Sequence, residues 1–477
     1  MRRAALLTGA VIVVAACSSP AAPPPPPAPA ELAAEITVDG VWTRLEKLQE
    51  LTLAGRGGRA EGSSGYDASV DYVAEALRSS GFDVQTPEVD RLALTEPGKP
   101  TLTIGSRGYP VDQASLVTPT RRGGVKAVTL RPVKPAGCAA ADYTGVDVRG
   151  ALAVVDDTAC SVVDKQNAAV ARGAVGVLMV SDPGAAGARA GLFPTGYYEQ
   201  LTSPVAVIDR AADAALRRTS APVTLVLDAQ TVRVKFRNVL AQTKTGDARN
   251  VVVAGAHLDS PAGSPGVNDN ATGVAAVLET AVALGGSPQV TNAVRFAFWG
   301  AGGAGLEGAS KYVAGLDRSG LDDIAMYLDF DMLGSPNAGY FTFDGDQSSA
   351  ASPGGEALAV PEGSAGIERT LAGYLNLAGV RPADMPLGRA SNYSPFLAAG
   401  IPIGGVTTGA DQRKSETQAR LWGGRAGQPF DPNYRARTDT LDDVNRTALG
   451  ITGPAVAFAV ATYAQSTDGP NGVPARG

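Results

Sequence analysis

Histidine occurs once in these 477 residues, at position 257. A single imidazole excludes any centre that must draw two from this chain, and a two-metal hydrolase of the usual kind is such a centre. Cysteine is almost as scarce, with Cys138 and Cys160 the only two besides Cys17. In an exported protein an isolated pair is most simply a disulfide, the alternative being two free thiols. No basic cluster appears and the formal net charge is −6, which argues against a nucleic-acid partner. The apolar run at the start, Ala4 to Val14, is too short to span a bilayer as a stable helix.

What is present at that end reads as an export signal. Arg2 and Arg3 precede the apolar run, and small residues surround Cys17. Pro23 to Pro27 and Pro29 follow, and such a run favours extended polyproline II and acts as a stiff spacer. Beyond it, Leu45, Leu48 and Leu51, then Val70, Val73, Ala76 and Leu77, recur at helical spacing. Gly81 stops the second of these helices, and Phe82 to Thr86 starts a strand. From about Val117 to Leu227 the texture changes to short strands and glycine turns. The apolar runs Ala151–Val155 and Gly176–Val180 suit buried strands, with a helical stretch at Lys165–Arg172 between them.

After Val232 strands and helices alternate. Strands are expected at Val251–Ala256, Val294–Trp299 and Ile324–Phe330, and helices at Ala271–Ala283 and Leu306–Ala314. This alternation predicts an α/β fold with a mixed central sheet and helices on both faces. Ligands in such folds gather beyond the carboxyl ends of the strands. His257, the Gly300 to Gly305 turn and Asp331 all fall there. A buried strand delivering His257, with Asp269 on a Gly-rich turn about a dozen residues later, is a common way to assemble metal ligands.

Three spaced segments carry a closer resemblance: Ala256-His257-Leu258-Asp259-Ser260, Asn268-Asp269-Asn270-Ala271-Thr272-Gly273 and Phe330-Asp331-Met332-Leu333-Gly334. They are similar to successive signatures of the co-catalytic di-zinc aminopeptidases of metallopeptidase clan MH, the aminopeptidase S and Y type. Gly65-Tyr66, Trp422-Gly423-Gly424, Phe430-Asp431-Pro432 and Asp439-Thr440-Leu441-Asp442 continue the match. The resemblance implies that His257, Asp269 and Asp331 hold one zinc, with Asp259 supporting the imidazole from behind. It implies removal of an amino-terminal residue from peptides by zinc-activated water. Val14-Ala15-Ala16-Cys17 resembles a bacterial lipobox, which implies cleavage before Cys17, lipidation of its thiol, and attachment to the outer face of the cell membrane. Gly137-Cys138, Asp142-Tyr143, the run to Asp156, Cys160, Lys165 and Arg172 to Val177 resemble a β-rich protease-associated domain, in which Cys138 and Cys160 match positions expected to be bridged.

The organisation expected is a signal peptide over 1–16, a Pro-rich tether over 17–35, a first peptidase segment over 36–115, the protease-associated domain over 116–230 and a second peptidase segment over 231–470.

The family's second metal and base are another matter. Where it reads W-G-A-E-E-x-G-L, the first Glu being the base and the second a zinc ligand, this chain has Trp299-Gly300-Ala301-Gly302-Gly303-Ala304-Gly305-Leu306. The family's last His is Arg435 here, Asn433 and Thr438 replace a typical cysteine pair, and Asn392 stands where Asp is frequent. Glycine offers no side chain, and arginine stays protonated and cannot bind zinc. Loss of a general base alone costs about 10²–10⁴ in rate. The expectation is therefore at most one zinc, no catalytic residue at Gly302, and a peptide-binding or scaffold protein directed at peptides or protein N-termini. The alternative is an active single-metal hydrolase using His257, Asp269 and Asp331. Glu307 as a substitute base and Arg435 as a cation in the second metal's place are the two rescues to weigh. On the substitutions alone, Gly302→Glu, Gly303→Glu and Arg435→His together are expected to restore zinc binding and some turnover.

Overall fold

The computed structural model describes residues 28–181, 192–194, 197–302, 306–349, 358–388 and 391–474. The export signal, Cys17 and Gly303 lie outside the described residues. Two compact units form, one from the chain up to Val89 together with Lys235 onward, the other from Asp90–Val234.

The first unit is built on an eight-stranded sheet. Across it lie, in spatial order, Asp83–Gln85, Val239–Gln242, Asn292–Trp299, Asp247–His257, Ile324–Phe330, Ile403–Thr407, Phe341–Phe343 and Ala383–Met385. The four strands from Asn292–Trp299 to Ile403–Thr407 are mutually parallel. Val239–Gln242 and Phe341–Phe343 flank them antiparallel, so the sheet is mixed. The run at 251–256 is apolar without interruption because both faces are covered. Val251 and Val253 pack with Ala309, Val313 and Phe396 on one side. Val252, Ala254 and Ala256 pack on the other with Val41, Leu45, Val70, Val274 and Val456. Alternate residues thus feed opposite cores.

The helices on that second side start where their caps dictate. Thr37 accepts from the Gly40 amide at the head of Val38–Ala54, and Ser63 from the Tyr66 amide at the head of Ser64–Ser79. Gly81, at φ 88°, supplies the left-handed residue that ends the second helix. Inside the Pro-rich stretch, Pro29–Glu35 forms a short helix with Leu32 and Ala33 buried. Proline at the first helical position lacks only an N–H that would have no helical partner. The Glu31 carboxylate accepts from the Ala28 amide. Arg446–Gln465 is apolar and long enough to cross a membrane, yet most of it is buried within this unit, as a core helix.

The second unit holds a five-stranded sheet, in order Asp112–Gln113, Val205–Ile208, Gly176–Val180, Leu152–Asp156 and Thr129–Leu130, and a four-stranded one of Arg107–Pro110, Thr101–Ile104, Val223–Val226 and Val125–Ala127. The helix between its buried strands runs Val162–Ala171, earlier than helical spacing suggested, because Ser161 and Asp164 form a capping box ahead of it. Cys138 and Cys160 are joined by a disulfide. The buried Lys165 ammonium donates to the carbonyls of Ala136 and Thr158, linking the same two segments. Burial lowers its pKa.

Candidate metal centre

His257 is the last residue of its strand, opposite Trp299 and 4% exposed. Its Nδ1 lies 3.1 Å from the Asp259 carbonyl oxygen. A carbonyl can only accept, so Nδ1 carries a proton and Nε2 is the atom turned to chemistry. Nε2 lies 3.3 Å from Asp269 Oδ1 and 3.5 Å from Asp331 Oδ1. One potential ligand atom from each of the three falls within 4.8 Å of the others. Asp331 Oδ1 is buried and has no hydrogen-bond partner, the condition expected of a donor atom reserved for a cation. Burial opposes charge on the imidazole, but the adjacent carboxylates of Asp259, Asp269 and Asp331 outweigh it and hold its pKa well above the usual histidine range. A metal at Nε2 would displace that proton.

Both carboxylates are fixed by the residues beside them. Asn270 reaches across to the Asp331 turn, donating to the Phe330 carbonyl at 2.9 Å and accepting from the Met332 amide at 3.0 Å. The Asn268 side chain accepts from the Gly334 amide at 3.0 Å and donates to Asp431 at 2.6 Å. Asp439 accepts from the backbone amides of Asn268 and Asp269, at 2.7 and 3.0 Å. Burial pushes the Asp439 carboxyl up to about 7, although those two amides favour its charged form. Behind Asp331, the buried Asp329 accepts from the Tyr327 hydroxyl at 2.9 Å and the Ser391 hydroxyl at 2.6 Å. Burial first, then the neighbouring Asp331, raises it to about 7. Arg59, wholly buried, donates to carbonyls on the connection between His257 and Asp269.

Among the described residues, the positions of a second metal's own ligands bring no metal-binding side chain to His257. The Gly302 amide donates to Asp259 Oδ1 at 2.7 Å, which presses this turn onto the histidine. A Cβ at position 302 would stand 2.4 Å from His257 Cβ. Glu307 opens the helix Glu307–Ala314 and does not join the His257 cluster. Arg435 is exposed, with its guanidinium 5.1 Å from the centroid of the Tyr434 ring. It makes no ion pair with Asp269 or Asp331, whose ion-pair partner among the described residues is His257. Asn433 and Thr438 are joined by a hydrogen bond from the Thr438 hydroxyl, 2.7 Å long. Asn392 is buried, with its Oδ1 unpartnered. A second group of carboxylates, Asp344, Asp346 and Glu368, lies elsewhere in the unit. Backbone amides already occupy oxygens on all three.

One imidazole and two carboxylates, one of them with an orphaned buried oxygen, suit one zinc with open positions for water. Gly302 has no side chain and the Arg435 guanidinium has no lone pair to give, so neither position suits a second. Sequence reasoning passed over Arg59, Asn268 and Asn270. Arg59 closes the glycine-rich stretch Gly55-Arg56-Gly57-Gly58-Arg59, which has no periodicity to mark it.

Comparison with known proteins agrees with the architecture. The pattern of Peptidase family M28 matches residues 238–460, and that of the PA domain residues 125–216. The chain is 49% identical over 455 residues to a protein of Mycobacterium tuberculosis named "Probable lipoprotein aminopeptidase LpqL", covering 94% of this chain and 90% of that one. It is 35% identical over 456 residues to a protein of Pseudomonas aeruginosa named "Aminopeptidase", covering 92% and 83%. Among solved structures, the aminopeptidase from Aneurinibacillus sp. strain AM-1 superimposes with a TM-score of 0.58 at 23% identity, over 94% of this chain and 98% of that one. A zinc aminopeptidase from Bacillus subtilis does so at 0.51 and 21%, over 92% and 97%. The chain belongs to peptidase family M28, an aminopeptidase family of zinc metallopeptidases, and carries a PA domain.

Proposed function

We propose that this member of the family binds a single zinc through His257, Asp269 and Asp331, binds peptide amino termini, and does not cleave them. The observation that carries this reading is the Gly302 turn. At the family's base position there is no side chain, and a Cβ built there falls 2.4 Å from His257 Cβ, so there is also no room for one. A zinc bound by the three ligands would supply Lewis acidity. The chain's own part would be to orient Nε2 through the Asp259 carbonyl and to hold both carboxylates in register through Asn268 and Asn270.

Zinc content and turnover test this together. Purified protein is expected to carry at most one zinc per chain, to lose it on His257→Ala, and to hydrolyse aminoacyl-nitroanilides no faster than its metal-free control. Turnover that depends on the bound zinc would overturn the inactive reading in favour of a single-metal hydrolase.

We further propose that the protein is exported and held to the outer face of the membrane by lipid on Cys17. The Val14-Ala15-Ala16-Cys17 stretch and the name of the Mycobacterium tuberculosis relative, a probable lipoprotein aminopeptidase, support this. Cys17→Ser should move the protein from the membrane fraction to the soluble one. A variant that stays membrane-bound would rule out the lipid anchor.

A further inference from the structure

We infer that Arg59 is a positioning residue for the ligand pair His257 and Asp269, an assignment that rests on the single-zinc reading above. Its guanidinium makes four hydrogen bonds, and three of them end on the connection between the two ligands. Nε donates to the Leu258 carbonyl at 3.3 Å, Nη1 to the Pro265 carbonyl at 2.8 Å, and Nη2 to the Gly266 carbonyl at 2.8 Å. The fourth goes from Nη1 to the Thr52 hydroxyl at 2.9 Å, fixing the side chain to the helix Val38–Ala54. The Arg59 backbone adds a reciprocal pair, its amide donating to the Ser260 hydroxyl at 2.9 Å and its carbonyl accepting from the Ser260 amide at 3.2 Å. One residue therefore grips both ends of the connection, one position after His257 and three before Asp269.

The choice of arginine has a physical reason. Burying a charge is costly unless opposite charge and hydrogen bonds compensate it. Arg59 is fully buried and makes no carboxylate hydrogen bond, but Asp439, Asp259 and Asp269 lie within electrostatic reach. Burial lowers the guanidinium to about 10, so it is charged at neutral pH. The planar fork sends donors in fixed directions, which a lysine ammonium cannot copy. The cation also offsets carboxylate charge in a centre whose lining supplies only one imidazole.

Two substitutions separate geometry from charge. Arg59→Lys keeps the charge and loses the fork, and Arg59→Met loses both. The measurements are zinc affinity of the full-length protein by calorimetry and chelator competition, melting of the metal-free form, and amide exchange across residues 258–270. Both variants should lose about 10–100-fold in zinc affinity, with exchange in the metal-free Arg59→Lys protein rising most within 258–270. Wild-type zinc affinity in Arg59→Lys, with only a lowered Tm, would assign a purely structural role and overturn the inference. Tighter zinc binding by Arg59→Met would assign a purely electrostatic role and also overturn it. Should Arg59→Met not fold, Arg59→Lys carries the comparison. If the wild type takes up no zinc, the metal reading of the site fails, and amide exchange alone decides Arg59: no local rise at 258–270 overturns the positioning role.

Discussion

Gly302→Glu is expected to melt earlier than the wild type and to gain no aminopeptidase turnover. The substitutions alone suggested that Glu at 302 and 303 together with His at 435 would bring back zinc binding and some turnover. The backbone geometry decides against it. The new Cβ would meet His257 Cβ at 2.4 Å and Cγ at 2.7 Å, and neither atom is the free end of a flexible chain. Either the turn or the imidazole must move. Forcing extra atoms into a packed site costs about 1–3 kcal/mol. Movement of the turn would also strain the hydrogen bond from the Gly302 N–H to the Asp259 carboxylate, and the carbonyl of that same residue orients Nδ1. Zinc affinity should therefore fall together with Tm. Adding Gly303→Glu and Arg435→His is not expected to cure this, since the overlap at 302 remains. Zinc-dependent turnover with unchanged melting would show that the turn opens freely and that the loss is one of side chains alone.

Asp439→Ala is expected to be the most destabilising single change at the centre. It removes the acceptor of two buried backbone amides, those of Asn268 and Asp269. A buried donor left unpaired costs about 1–3 kcal/mol, so two give about 2–6 kcal/mol, measurable by denaturant titration. The pH dependence should change as well. The folded-state pKa is raised to about 7, above that of the unfolded carboxyl, so the folded form holds the extra proton between those values. That contribution is fully present below the unfolded pKa and is lost as pH rises to about 7. In metal-free protein the variant should lack this part of the slope. An unaltered slope would mean that Asp439 is not the group holding that proton.

The parallel core was legible because its strands are unbroken apolar runs and its helices repeat their apolar positions at 3.6-residue spacing. Val251 to Ala256 and Leu45 to Leu48 are examples, and each packs where its period requires. His257, Asp269 and Asp331 were legible through the segments around them, and the structure brings the three side chains together. Other features were not. Asn268 and Asn270 work by bonding to a turn some sixty residues away, and no local pattern records such a partner. The fate of Arg435 depended on a left-handed backbone at φ 57° and on the ring of Tyr434, neither of which composition reveals. The closure of the Gly302 turn onto His257 is equally invisible in sequence, where a glycine signals only a missing side chain.

The ties around the metal centre join parts of the chain that are far apart in order of synthesis. Arg59 bonds to a carbonyl 199 residues later, and Asn268 to a carboxylate 171 residues later. Closing such long loops must precede any reward from the contacts, which places them late in folding. A chain still emerging, or cut before Asp439, has the ligands His257, Asp269 and Asp331 but not the brace that spaces them. Zinc then selects the finished unit, and by mass action stabilises it in proportion to RT ln(1 + [Zn]/Kd). On this account metal uptake reports that folding is complete, whether or not any peptide bond is ever cut.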